Sequence, residues 1–185
     1  LLGIIIGIFA ELYSKYVLLM QNLGKKWYKN KFVLKMSICG LILGTIYSFL
    51  PSTFHNLDEL QKIIAEQNTS IEIACLAVLV LFITTGLAAA SGAPGGLFYP
   101  MLTLGGSIGL IIGSWVEIAT GHAPSTYIFA GMGAFVAGCS RTPITAMFLA
   151  FALTKNLLIM KPVLISCIAS FLVARALNEE SIYER

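Results

Sequence analysis

Charged residues are scarce in this 185-residue chain. Asp, Glu, Lys and Arg make up only 11% of it, whereas roughly one-quarter is usual in soluble domains. Hydrophobic residues account for 57%, and the mean hydropathy is +0.86. Too little polar surface remains to cover a soluble core of this size. The composition therefore excludes an ordinary soluble domain and predicts an integral membrane protein.

Clusters of chemically reactive side chains are also lacking. His55 and His122 have no acidic or thiol partner at ligand spacing, so we expect no metal site. No nucleophile occurs together with a base and an orienting group, so we expect neither an enzyme nor catalytic residues, and no cofactor. The cysteines show no Cys-x-x-Cys spacing and are interpreted as small buried hydrophobic residues. They are Cys39, Cys75, Cys139 and Cys167.

Long apolar windows are what the chain does contain. Four of them, residues 1–20, 32–50, 72–90 and 97–118, approach or reach the ~20 residues that cross a hydrocarbon layer about 30 Å thick. We predict helices over about 1–24, 32–49, 72–89 and from 97 or 98 onwards. Glycines spaced four residues apart in three of these helices predict close helix contacts. These are Gly3 and Gly7, Gly40 and Gly44, and Gly105, Gly109 and Gly113.

Shorter segments follow residue 121, at 125–138, 143–154 and 162–177. Pro143 and Pro162 suit the first position of a helix. At ~1.5 Å per residue such helices do not cross a bilayer upright, and short broken helices are typical of membrane transporters. Arg141 lies between two of these segments, where we favour a side chain that reaches the interface over one that is buried with a partner.

Lysines dominate the loop between the first two apolar windows, which indicates that this loop is cytoplasmic. Residues 51–70 then form an outer loop, in which apolar side chains on one face of residues 56–65 predict a short helix at the membrane interface. Lysines beside a membrane need no nucleic-acid partner, and we expect none for this protein. The lysines between the first two apolar windows are Lys25, Lys26, Lys29, Lys31 and Lys35.

Helix-breaking residues concentrate in SGAPGGLFYP, residues 91–100, where a membrane helix would otherwise continue. Gly92, Gly95 and Gly96 permit unusual backbone conformations, and Pro94 stops the preceding helix. A new helix that starts near Leu97 would present N–H groups without intrahelical acceptors, which suits reversible anion binding. A simple glycine hinge or tight helix contact remains an equal alternative on these residues alone.

Three ordered motifs carry a resemblance to a known family. SGAPGGLFYPMLTLGGSIG resembles the G-x-F-x-P segment in the second half of the CLC family of chloride channels and proton/chloride antiporters. FAGMGAFVAGCSRTPITAMFLAFALT resembles that family's short helix pair, and Ser181-Ile182-Tyr183 resembles the start of its last membrane helix. The opening LLGIIIGIFAELYSKYVLLMQ also resembles the helix that begins this half, so the likeness covers essentially the whole chain.

The resemblance implies an all-α polytopic membrane protein of about seven tilted and broken helices, one half of an inverted repeat. It implies that residues 1–185 form the second half of a transport domain whose product carries chloride as a channel or an exchanger. It further implies an anion site at Gly96, Leu97 and Phe98, closed by the Tyr183 hydroxyl, and a homodimer in the plasma (inner) membrane. The dimer contacts would come from residues 143–154 and 162–177.

Three expectations remain beside these. Because the chain lacks an initiator Met and Leu1 resembles the inside of a helix, we expect a piece of a longer protein. An unrelated secondary transporter that binds an anionic substrate at a broken helix is one alternative function. A non-transporting membrane scaffold or defective fragment is the other.

Overall fold

Helices form every regular element among the residues that the structure, a computed structural model, describes. These residues are 1–27, 32–65, 70–92, 96–120, 125–154, 157–178 and 182. The helices are α1 (Leu2–Trp27), α2 (Phe32–Ser48), α3 (Leu57–Ala65), α4 (Ile71–Ser91), α5 (Phe98–Thr120), α6 (Ser125–Ser140), α7 (Pro143–Thr154) and α8 (Met160–Leu177). Short 3₁₀ turns at Ser52–His55 and Leu157–Ile159 precede α3 and α8. The predicted all-α architecture is confirmed.

Four helical stretches in the described part of the chain are long and apolar enough to cross a membrane. They are Leu2–Lys26, Ile71–Ser91, Phe98–Ile118 and Leu157–Leu177. The last one corrects the prediction of a short helix that begins at Pro162. Proline is tolerated as the third residue of α8 because N–H groups in the first turn have no intrahelical acceptor to lose. The chain is a polytopic membrane protein.

Helix α6 lies at the centre of the fold, in contact with α1, α5, α7 and α8. Its residues from Ala130 to Cys139 are all buried. A helix that is apolar on every side is expected in such a position, because it has no face that requires water. Its glycines and alanines let several neighbours approach its backbone at once.

Glycines form the closest helix contacts, as predicted for α1 and α5. A Cβ atom added at Gly3 would lie 2.5 Å from the Ser166 carbonyl oxygen of α8, and one at Gly105 would lie 2.5 Å from the Gly131 carbonyl oxygen of α6. The same prediction is wrong for α2 within this chain. A Cβ at Gly40 or Gly44 would meet no described atom within 4 Å.

Helix α3 exists as predicted, but its apolar face is covered by protein. Leu60 and Ile64 are fully buried, and α3 lies against α5. A Cβ added at Gly106 of α5 would lie 3.5 Å from Ile64 Cγ2, an ordinary van der Waals distance, so Ile64 packs directly against this part of α5. The apolar face of α3 is therefore covered by the helix bundle, and its position at the membrane interface stays a prediction.

Replacement of Gly105 by alanine tests the contact between α5 and α6. Alanine favours a helix over glycine by about 1 kcal/mol, yet the added methyl group would collide with backbone that can move only with its helix. We expect Gly105→Ala to lower the thermal unfolding temperature of the full-length protein in detergent. Gly40→Ala is the matched control, and an equal effect of the two substitutions would contradict the assignment.

Candidate anion-binding site

The predicted break between two helices at residues 91–100 begins where α4 ends. Gly92 follows the last residue of α4 with φ 74°, in the left-handed region, and its N–H group donates to the Ala89 carbonyl at 3.3 Å. This is a common way to end a helix, and glycine adopts it without strain. The Ser91 hydroxyl donates to the Ala88 carbonyl at 2.6 Å and satisfies another terminal acceptor. Gly95 and Pro94 lie outside the described residues.

The first turn of α5 carries amide groups without an intrahelical acceptor, which we call the free amides. The first helical hydrogen bond of α5 runs from the Met101 N–H to the Leu97 carbonyl at 3.0 Å. The amides of Leu97, Phe98 and Tyr99 precede it and have no intrahelical acceptor, and Pro100 has no N–H. The Tyr99 amide therefore stands beside those of Leu97 and Phe98, the residues at which the family resemblance implies an anion site. The positive end of the α5 dipole adds to their attraction for an anion.

Two cavities border the start of α5. One of about 310 Å³ is lined by Gly96 and Leu97 together with Lys25 and Lys35. The other, of about 670 Å³, is lined by Phe98 and other residues of α3, α5, α6 and α7. The two lysines come from the end of α1 and the start of α2, so these two helix ends lie beside the start of α5. Sequence spacing could not place these lysines there, because the contact depends on how α1 and α2 pack.

Gly96 is exposed, and Leu97 and Phe98 are half-buried. A Cβ at Gly96 would meet no described atom within 4 Å, and the only left-handed glycine among the described residues is Gly92. The structure therefore assigns the left-handed turn to Gly92, and Gly96 leaves the backbone open to approach. Tyr183, the fourth predicted site residue, lies outside the described residues.

The residue before Tyr183 is anchored at the end of α6. Ile182 is buried, and its N–H group donates to the Cys139 carbonyl at 3.2 Å. Helices α5 and α6 are antiparallel, because Gly105 contacts Gly131 whereas Gly109 contacts Tyr127. The end of α6 thus lies at the same end of this pair as the start of α5.

Arg141 is buried with a partner, which corrects the expectation that it reaches the interface. Its side chain is 10% exposed, and Nη2 lies 2.8 Å from Oε2 of Glu11, which is 2% exposed. Nη2 also donates to the carbonyls of Ala174 and Asn178, each at 2.9 Å, and Nη1 donates to the Gly138 carbonyl. We call these five residues the Arg141 hub.

The hub shows why this arginine is tolerated below the surface. A buried charge is costly unless a partner and hydrogen bonds compensate for it, and here a carboxylate and three carbonyl groups do so. Arg141 itself has φ 61°, so the chain turns sharply after α6 and directs the side chain towards α1 and α8. Glu11, the one acidic residue in the first apolar window, was the signal that the sequence offered for this pair.

A metal centre finds no support in the described part of the chain. No group of three or more His, Cys, Asp or Glu side chains that could hold a metal ion occurs there. His122 lies outside the described residues.

A family model described as voltage gated chloride channel matches residues 1–175. The chain belongs to this family. Membership removes the alternative of an unrelated secondary transporter. A curated relative, the H(+)/Cl(-) exchange transporter ClcA of Vibrio parahaemolyticus, is 31% identical over all of this chain and 41% of its own length. The protein of the same name from Vibrio campbellii is 30% identical with the same coverage. The chain thus spans about two-fifths of the length of these relatives.

Solved structures agree with this assignment. The crystal structure of a slow cyanobacterial Cl⁻/H⁺ antiporter matches 98% of this chain and 44% of its own, with a TM-score of 0.86 and 26% identity. A eukaryotic CLC transporter matches 99% of this chain and 33% of its own, with a TM-score of 0.80 and 23% identity. The second likeness concerns the fold alone. The family and the fold of broken helices are those that the sequence motifs indicated.

The turn at Gly92 can be tested separately from anion binding. A side chain in the left-handed region costs roughly 1–2 kcal/mol, so Gly92→Ala should destabilise the full-length protein by about that amount. Gly96→Ala, four residues further on, should leave the unfolding temperature unchanged because the space beside Gly96 is open. Thermal unfolding in detergent measures both, and a larger loss at Gly96 would refute this account of the turn.

Proposed function

We propose that the chain forms the second half of the membrane domain of a chloride transport protein, and that the start of α5 binds the transported anion. The observation that carries the proposal is the set of amides at Leu97, Phe98 and Tyr99, which have no intrahelical acceptor and belong to residues that line two cavities. Amide donors attract chloride without a full charge, and transport requires an affinity that also permits release.

Two features of the surroundings support this role. Lys25 and Lys35 line the cavity beside Gly96 and Leu97, so their charge would raise the local anion concentration. We further propose that the Tyr183 hydroxyl donates a hydrogen bond to the same anion, since a phenol supplies one donor without charge. The anchoring of Ile182 at the end of α6 supports this assignment.

We infer that the complete protein exchanges chloride for protons. The matched Vibrio relatives bear the name of H(+)/Cl(-) exchange transporters, and the cyanobacterial structure is that of a Cl⁻/H⁺ antiporter. A chloride channel is the second possibility within the family. Transport of this kind involves no covalent chemistry, so we propose neither an enzymatic activity nor a cofactor other than the chloride ligand.

We also propose a homodimer in the plasma (inner) membrane. Large apolar side chains on α7 and α8 are exposed, among them Ile144, Phe148, Ile165 and Leu172. These faces are the ones expected to meet a second subunit, with lipid around the remaining apolar surface.

Ion flux from liposomes tests the transport proposal. The full-length protein is reconstituted, and chloride and proton movements are recorded together under a chloride gradient, with and without an opposing proton gradient. Exchange predicts proton movement in fixed ratio to chloride. Chloride flux without proton coupling would identify a channel, and the absence of both fluxes would refute the transport proposal in favour of a scaffold.

Substitution of Phe98 by proline tests the amide site. Phe98 is the first residue of α5, a position where proline keeps the helix but removes the N–H group. Loss of one donor to a charged ligand costs about 1.5–3 kcal/mol, so chloride affinity measured by calorimetry should fall roughly 10- to 100-fold. Phe98→Leu, which keeps the amide, is the matched control and should bind chloride more tightly than Phe98→Pro. Equal affinities of the two variants would exclude this amide from the site.

A further inference from the structure

The Arg141 hub joins two helix ends to a buried carboxylate. Arg141 follows the last residue of α6, and its guanidinium reaches the final turn of α8 through the carbonyls of Ala174 and Asn178. Carbonyl groups at the end of a helix carry partial negative charge, and a cation placed there is favourable. The carboxylate of Glu11 adds a third helix, α1, to the same cation.

A second contact joins the residues after α8 to the end of α6. The chain that leaves α8 returns to the end of α6, where the Ile182 N–H donates to the Cys139 carbonyl. Two described residues beyond α8 are therefore held: Asn178 by the Arg141 side chain, and Ile182 by the backbone two residues before Arg141. The next residue along the chain is Tyr183.

We propose that Arg141 is a positioning residue of the anion site. It holds the end of α8 against the end of α6, which fixes Ile182 and thereby the backbone from which the Tyr183 side chain extends. Consecutive Cα atoms are about 3.8 Å apart, so displacement of Ile182 displaces Tyr183 with it. This inference rests on the proposed function, in which the Tyr183 hydroxyl contacts the anion.

Both contacts lie at the end of the α5 and α6 pair that carries the free amides. Helices α5 and α6 run antiparallel with their backbones in contact, so the start of α5 and the end of α6 share one end of the bundle. The hub itself does not line either cavity that borders the start of α5. Arg141 therefore acts on the anion through the segment that it holds.

The planar fork of arginine suits this task better than a lysine would. The two terminal nitrogens of Arg141 serve four acceptors on three different helices and the segment after α8. Lysine carries the same charge on one nitrogen with three donors. Arg141→Lys should keep the attraction to Glu11 and lose part of the bonding to the end of α8.

The test compares Arg141→Gln with Arg175→Gln in the reconstituted full-length protein. Arg175 is exposed in the last turn of α8, so its loss removes an equal charge from the same region. We expect Arg141→Gln to weaken chloride binding about tenfold, the loss of one hydrogen bond to a charged ligand. It should also speed hydrogen exchange of the Ile182 amide. Arg175→Gln should leave both measurements near those of the unaltered protein.

A double-mutant cycle separates positioning from general destabilisation. If Arg141 acts through the tyrosine hydroxyl, Arg141→Gln should change chloride affinity little once Tyr183→Phe is present. Additive losses in affinity would overturn the positioning role. If Tyr183→Phe alone leaves chloride affinity unchanged, the proposed function loses its tyrosine ligand. Unchanged Ile182 exchange in Arg141→Gln would instead overturn the inference about the hub.

Two further measurements keep the inference testable if Arg141→Gln does not fold. Arg141→Lys then takes its place. We expect it to lower both the chloride affinity and the hydrogen-exchange protection of the Ile182 amide, but by less than a neutral residue at position 141 would. In the unaltered protein, the Ile182 amide should exchange as slowly as amides within α6. Exchange at the rate of an unprotected amide would refute the anchoring on which the proposal depends.

Discussion

The backbone contact between α5 and α6 is the constraint on which the rest of the structure depends. Gly105 and Gly131 let the two helices touch without intervening side chains, which gives dispersion contacts that a membrane bundle needs in place of a hydrophobic driving force. The contact places α6 at the centre, where α1, α7 and α8 surround it. It also brings the start of α5 and the end of α6 to one end of the bundle.

The helix ends on this side of the bundle differ in whether their backbone groups have hydrogen-bond partners. The last carbonyls of α6 and α8 are satisfied by the Ile182 amide and by the Arg141 guanidinium. The first amides of α5 have no acceptor within their helix and border two cavities instead. Within a membrane a polar group without a partner is costly, so the free amides are the groups that a ligand would complete. The carbonyl ends of α6 and α8 thus have hydrogen-bond partners within the protein, whereas the amides of the proposed anion site have no intrahelical partner.

Several expectations failed for reasons that lie in three dimensions. Arg141 was expected at the interface because its partner, Glu11, is 130 residues away along the chain. The glycines of α2 have the same spacing as those of α1, but spacing does not reveal whether a neighbour is present. The α3 helix was correctly located, whereas the sequence did not show that α5 covers its apolar face. Pro162 does not begin α8, because the first turn of a helix tolerates proline at more than one position.

The sequence by itself determined the class of the protein, the helices, the family and the break at residues 91–100. These follow from composition, apolar window length and local chain chemistry, all of which act between near neighbours. The tertiary structure alone decided that Lys25 and Lys35 lie beside the start of α5, and that Arg141 is paired with Glu11. Such features depend on which helix surfaces meet, and a buried charge is recognised only from what surrounds it.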